Sequence, residues 1–250
     1  MKNPYTETVA RLGTLETFDA KAFVGDTTCP QQLCDLIVSL SLVYNDVRDL
    51  MVAYMCLEPV MPAQGSKPSP AVGNISGISI HLLRLFAGVI HETLNLIKDN
   101  CVVLDVPIFR EVIRKIHPEA RDAWLSLVAA AQNKPTADPL TKMLLFARNK
   151  VSFHYDRKEI ARGYAIAFLE NQTREPYVSR GDSMAETRFY FADAAAHEYL
   201  QIAGDAAAAK VFLGARSKVF HQVNHALREV VVAFITTRKF GWREPKSGAT

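Results

Sequence analysis

Apolar residues recur at intervals of three and four along most of the chain, and the period-two alternation of a half-buried strand is nearly absent. The stretch 30–57, PQQLCDLIVSLSLVYNDVRDLMVAYMCL, therefore predicts a long helix with Pro30 near its first turn. The following EPVMPAQGSKPSPAVGN holds four prolines and two glycines, which cannot continue a helix, and predicts a long loop. A second long helix is predicted over 76–99 and a third element from about Pro107. Pro118 should divide this third element, because its ring clashes with the preceding turn and it has no N–H to donate. NKPTADPL is the next loop, with Asp138 suited to an N-cap and Pro139 to the first position of a helix over 139–160. A shorter helix near 194–202 and a long one over 206–239 close the chain.

Only EPYVSRGDSMAETRFYFAD has strand character, so a short β-hairpin is expected near residues 176–192 around its Gly-Asp-Ser turn. The pattern predicts an all-α helical bundle, with 1–250 as a single domain.

Composition narrows this picture. A chain of 250 residues can bury a substantial core without disulfide or metal support. Its four cysteines form no C-x-x-C pair, and they read as reduced thiols. The first residues lack the apolar core of a secretory signal. The apolar stretches are cut by Asp46, Arg48 and Asp49 or by His81 and Arg84, short of the roughly 18 uninterrupted apolar residues of a membrane span. A cytoplasmic protein with no membrane partner is expected.

The net charge is only +3, but its placement is uneven: residues 141–190 carry nine Lys/Arg against six Asp/Glu, and the rest of the chain balances. That local excess is a mild pointer to a polyanion. It surrounds LLFARNKVSFHYDRKEIARGY, which sets an arginine, an asparagine, a histidine and a tyrosine along one predicted helix. On that helix Leu140, Met143, Leu144, Ala147 and Val151 share an apolar face, with His154 on one shoulder and Arg148 and Tyr155 on the other. Arg148 and His154 point about 120° apart on a straight helix. They complete a site only where the stripe meets its symmetry mate, so that the arginine of each copy approaches the histidine of the other.

An arginine followed at this range by a histidine occurs four times: Arg84 with His91, Arg110 with His117, Arg148 with His154 and Arg216 with His221. Only the third has asparagine directly after the arginine. This stretch, RNKVSFH, resembles the arginine, polar residue, four residues, histidine signature of HEPN domains, small helical-bundle proteins of phage defence and toxin-antitoxin systems. With the following YD it is most similar to the AbiU-like abortive-infection branch. The resemblance implies a metal-independent, cofactor-free endoribonuclease built at a homodimer interface, with an antitoxin or regulatory protein as a further partner. Many such toxins carry a tyrosine two places after the histidine; Asp156 stands there, so control by adenylylation of that tyrosine is not expected.

The chemistry suits these residues. His154 can act as base or acid, because imidazole titrates near pH ~6.5. Arg148 can hold two phosphate oxygens, and Asn149 can donate to a third or orient the ribose. The expected products are 2',3'-cyclic phosphate ends, and Lys150, Arg157 and Lys158 are the candidates for tracking the RNA backbone.

Two other readings stay open. The chain could be a non-catalytic helical module that binds RNA or protein. Alternatively, His221, His225 and Glu229, spaced by four on one helix face, have a spacing compatible with metal ligation. Their face lies opposite the apolar stripe and lacks a second carboxylate-bearing helix, which favours a solvated or oligomer-contact face. His117 and Glu119 are expected to be structural. No Gly-rich phosphate loop, nucleophile elbow or Cys/His zinc pattern is present.

Overall fold

The computed structural model describes residues 16–63, 67, 69–134, 138–146, 157–170, 175–180, 183, 186–202, 206–238 and 242–243. The all-α expectation is met. The helices are α1 (Gln31–Leu57), α2 (Pro70–Asp99), α3 (Pro107–Lys115), α4 (Pro118–Ala131), α5 (Pro139–Phe146), α6 (Arg157–Tyr164), α7 (Tyr190–Ile202) and α8 (Ala206–Thr237). The wider turn of a π-helix continues α6 over Ala165–Glu170.

Prolines sit where the backbone tolerates them. Pro107 and Pro118 open α3 and α4 at positions whose N–H would have had no intrahelical partner, and Ile116 is extended between them. Pro139 opens α5, and Asp138 caps it: Oδ2 accepts the Thr141 N–H at 2.8 Å and the Thr141 hydroxyl at 2.6 Å.

The second helix begins six residues earlier than the periodicity predicts, at Pro70 rather than Ser76. Ser69 is the reason, since its hydroxyl accepts the Val72 N–H and its carbonyl accepts the Gly73 N–H. Gly73 would ordinarily weaken a helix interior, but a side chain there would collide with the Tyr190 ring. The missing Cβ lets Tyr190 lie against the helix and donate its hydroxyl to the Pro70 carbonyl at 3.1 Å.

Among the described residues of the expected hairpin, Ser179 and Arg188 form one antiparallel bridge, whose two N–H···O bonds are both 2.9 Å. A different strand pair forms instead: β1 (Thr17–Phe18) runs antiparallel to β2 (Trp242–Arg243).

The chain divides into two compact units. The first comprises Met1–Asp49, Glu92–Leu144 and Ser217–Thr250. Its buried side chains include Leu33, Ile37 and Leu40 of α1, Leu94 and Ile97 of α2, Phe109 of α3, Leu127 of α4 and Phe234 of α8. Phe109 meets the Trp124 ring edge-on at 5.6 Å between centroids. The second unit comprises Leu50–His91 and Leu145–Arg216. Here α6 packs on α7, and Tyr164 touches Phe168 and Phe191. Arg188 pairs with Asp193 at 3.1 Å and reaches the Asn74 side chain.

The cysteines are free thiols. Cys29 and Cys34 are buried with sulfurs 3.6 Å apart, and burial together with this neighbour pushes the Cys29 thiol up to about 12, keeping it protonated at neutral pH. Among the described residues, α2 is the one helix long and apolar enough by length and composition to cross a membrane, with a mean hydropathy of 1.3 over its most apolar window. That helix nevertheless buries Phe86, Ile90, Leu94 and Ile97 inside the fold.

The first unit is closed by a buried charge. Arg238, 5% exposed, follows α8 and donates from Nε to the Ala22 carbonyl at 3.0 Å and from Nη2 to the Val24 carbonyl at 2.7 Å. Its Nη2 lies 3.1 Å from Asp26, and the guanidinium carbon lies 6.0 Å from the centre of the Phe234 ring. Asp26 also accepts the Thr28 hydroxyl and the N–H groups of Thr28 and Cys29. These bonds from Thr28, helped by Arg238, hold its carboxyl far below the usual carboxylate range.

Removing the cation leaves the buried Ala22 carbonyl without the guanidinium, while Val24 and Asp26 still reach water, so Arg238→Ala should destabilise the protein by about 1–3 kcal/mol in urea unfolding. Asp26 adds a pH dependence of definite sign. Its folded pKa is depressed, so its contribution is present above the unfolded value near pH ~3.9 and is lost as pH falls towards the folded value. The stability gap between wild type and Asp26→Asn should be full at pH 7 and shrink progressively below pH ~4. A gap constant across that range would rule out this role for the carboxylate.

Candidate functional site

The sequence places its site on the continuation of α5. This helix enters with Leu140, Met143 and Leu144 buried, as the apolar face requires. Thr141 is buried as well, and its hydroxyl also lies 3.3 Å from the Ser126 carbonyl of α4. Burial opposes ionisation of Asp138, but hydrogen bonds from Thr141, Ser126 and Leu140 outweigh it and lower its pKa. The cap is therefore charged at neutral pH and favourably placed at a helix N-terminus.

Arg148, Asn149, Lys150 and His154 lie outside the described residues, as do Ala147, Val151, Tyr155 and Asp156. Arg157 opens α6, and Lys158 is exposed in its first turn. Arg162 is exposed one turn further on, so helix spacing sets Lys158 and Arg162 on one face. The sequence reading did not select Arg162, although its spacing from Lys158 was available.

Within the first unit, the fold assembles a different polar group. His117 is the N-cap of α4; its Nδ1 accepts the Glu119 N–H at 3.4 Å. Glu119 occupies the first turn of α4, and both side chains are exposed. His225 comes from α8 and is half-buried, with its ring centre 6.1 Å from that of His117. One ligand atom from each of His117, Glu119 and His225 lies within 4.8 Å of the other two. His221, exposed one turn before His225, stacks against its ring at 6.1 Å.

This changes the reading of the α8 row. The sequence groups His221 and His225 with Glu229, but Glu229 is engaged by Arg228 at 3.1 Å. The carboxylate that approaches His225 is Glu119, from a second helix. His117, expected to be structural, caps α4 and also lies close to His225. Pro118 signalled the helix start that brings His117 and Glu119 together; their approach to α8 had no local signal.

The same unit also has an apolar groove of about 690 Å³ beside the end of α2, with Phe109 and Trp124 in its lining. The exposed Val102 and Leu125 also line it, and Arg110 and Asp105 there form an ion pair at 2.9 Å. This lining provides apolar contact rather than a catalytic constellation.

Against protein-family models, curated proteins and solved structures, the chain matches none.

The Asp138 cap starts the helix that leads into the motif. Asp138→Ala should cost about 0.5–2 kcal/mol in global stability, measured by denaturant unfolding. Asp138→Asn should retain most of it, because asparagine also caps well.

Proposed function

We propose that this chain is a metal-independent endoribonuclease of the HEPN type. It acts on RNA in the cytoplasm as a homodimer, in phage defence or a toxin-antitoxin setting under the control of a regulatory protein. The observation that carries this reading is the sequence RNKVSFH, standing between α5 and α6 of an all-α chain. The exposed Lys158 and Arg162 support it, since two cations one turn apart can follow successive phosphates.

In this reading, the base form of His154 removes the proton from a ribose 2'-hydroxyl. The 2'-oxygen attacks the adjacent phosphorus, and the bond to the 5'-oxygen breaks. The His154 of the second copy, in its acid form, protonates the departing oxygen, leaving a 2',3'-cyclic phosphate and a 5'-hydroxyl. Arg148 neutralises the crowded phosphate and Asn149 orients it, while Lys150, Arg157 and Lys158 hold the flanking backbone. Two copies are needed because each supplies one proton-transfer group, and because Arg148 and His154 diverge on a single straight helix.

The test is RNA cleavage by purified protein in excess chelator, with the ends of the products identified. Cyclic phosphate ends are expected, with His154→Ala slower by about 10²–10⁴-fold and Arg148→Ala by about 10²–10³-fold. If wild type and His154→Ala treat every RNA pool identically, the proposed chemistry is wrong. RNA retention without cleavage, weakened by Arg148→Ala, would instead identify a binding module.

A further inference from the structure

We propose that His117, Glu119 and His225 form a binding site for a divalent ion of the zinc class, joining the start of α4 to the middle of α8. The site lies within the first unit and uses none of the residues assigned to RNA cleavage.

Two imidazoles and one carboxylate suit a borderline cation, and such a set leaves a fourth tetrahedral position for water. The ligand atoms already lie within 4.8 Å of one another. Bonds of about 2.0–2.2 Å in a tetrahedral site require donors roughly 3.4 Å apart, so a side-chain adjustment of about 1–1.5 Å completes the shell. His117 and Glu119 are exposed and have room to make that adjustment, while the half-buried His225 provides the fixed point.

Two local costs oppose binding, and both are small. The N-terminus of α4 carries partial positive charge, which disfavours a cation there, but the Glu119 carboxylate stands in that same turn and offsets it. Coordination through either nitrogen of His117 forfeits its hydrogen bond from the Glu119 N–H. At 3.4 Å that bond is already long, so little is lost. The ion also joins elements widely separated in sequence, an arrangement the unfolded chain does not present, so binding favours the folded state.

His221 tests the alternative. With His225 it forms an i, i+4 pair on α8, and such a pair can hold zinc without any help from α4. The two arrangements differ in whether residues of α4 matter.

The experiment is calorimetric titration of zinc into the purified full chain, paired with thermal unfolding with and without the ion. One equivalent and a raised transition temperature are expected for wild type. His225→Ala should abolish both effects, and Glu119→Gln should weaken binding at least about tenfold. The glutamine keeps the side-chain length and the backbone cap, so its fold is expected to persist and is checked by circular dichroism. His221→Ala should bind as wild type does, and so should His154→Ala, which separates this site from the proposed nuclease chemistry.

The proposal is overturned if wild type takes up no stoichiometric zinc. It is equally overturned if Glu119→Gln and His117→Ala both bind like wild type, which would leave the ion on α8 alone. Loss of the equivalent in His154→Ala would place the ion at the RNA motif and overturn it too.

Discussion

The guanidinium of Arg238 stands almost entirely out of water, and its position requires partners that only the N-terminal segment provides. The carbonyls of Ala22 and Val24 supply two acceptors and Asp26 supplies the opposing charge. The guanidinium would be costly to bury without these partners, so the end of α8 and residues 22–26 are ordered together. The neighbouring contacts fit the same constraint. Phe23 lies 5.7 Å from Phe234, Phe18 meets Phe23 edge-on, and the β1–β2 pair joins segments near the two chain ends. A pair of two-residue strands has little stability of its own. It forms next to the contacts that Arg238 and Phe23 make.

The same helix shows how one element can serve two purposes on opposite faces. Val219, Val223, Leu227, Val230 and Phe234 of α8 are fully buried, while His221 is exposed and His225 half-buried on the other side. Burial on the apolar face fixes the rotation of the helix about its axis and hence the direction in which its histidines point. The start of α4 lies beside that second face, so a capping histidine and a first-turn glutamate become neighbours of His225. A polar row that reads as solvated surface in isolation thus gains polar neighbours from elsewhere in the chain.

Much of the fold was legible because its signals are local. Pro107, Pro118 and Pro139 each mark a helix start, and the apolar repeats give the bounds of α1 and α8 to within two residues. The start of α2 was misplaced because Gly73 reads as part of the loop. Only the Tyr190 ring lying against it explains a glycine there, and that contact lies far away in the sequence. The pairing near 176–192 is short for a related reason. Strand-prone residues on both sides of a turn allow pairing, but Tyr190 already opens α7, so its backbone enters that helix rather than the ladder. Among the described residues one bridged pair forms.

The candidate chemistry divides along the same line. The spacing of Arg148, Asn149 and His154 is a property of seven consecutive residues, so the sequence alone defines it, together with the helical class and the proline-marked helix starts. These depend on backbone sterics and on a repeat of about 3.6 residues, which act over one or two turns. Tertiary structure alone decided that Arg238 reaches Ala22, Val24 and Asp26, and that His117 and Glu119 meet His225. Those contacts join residues 106 to 216 positions apart. They rest on hydrogen bonding and charge pairing between groups that no local pattern identifies as partners.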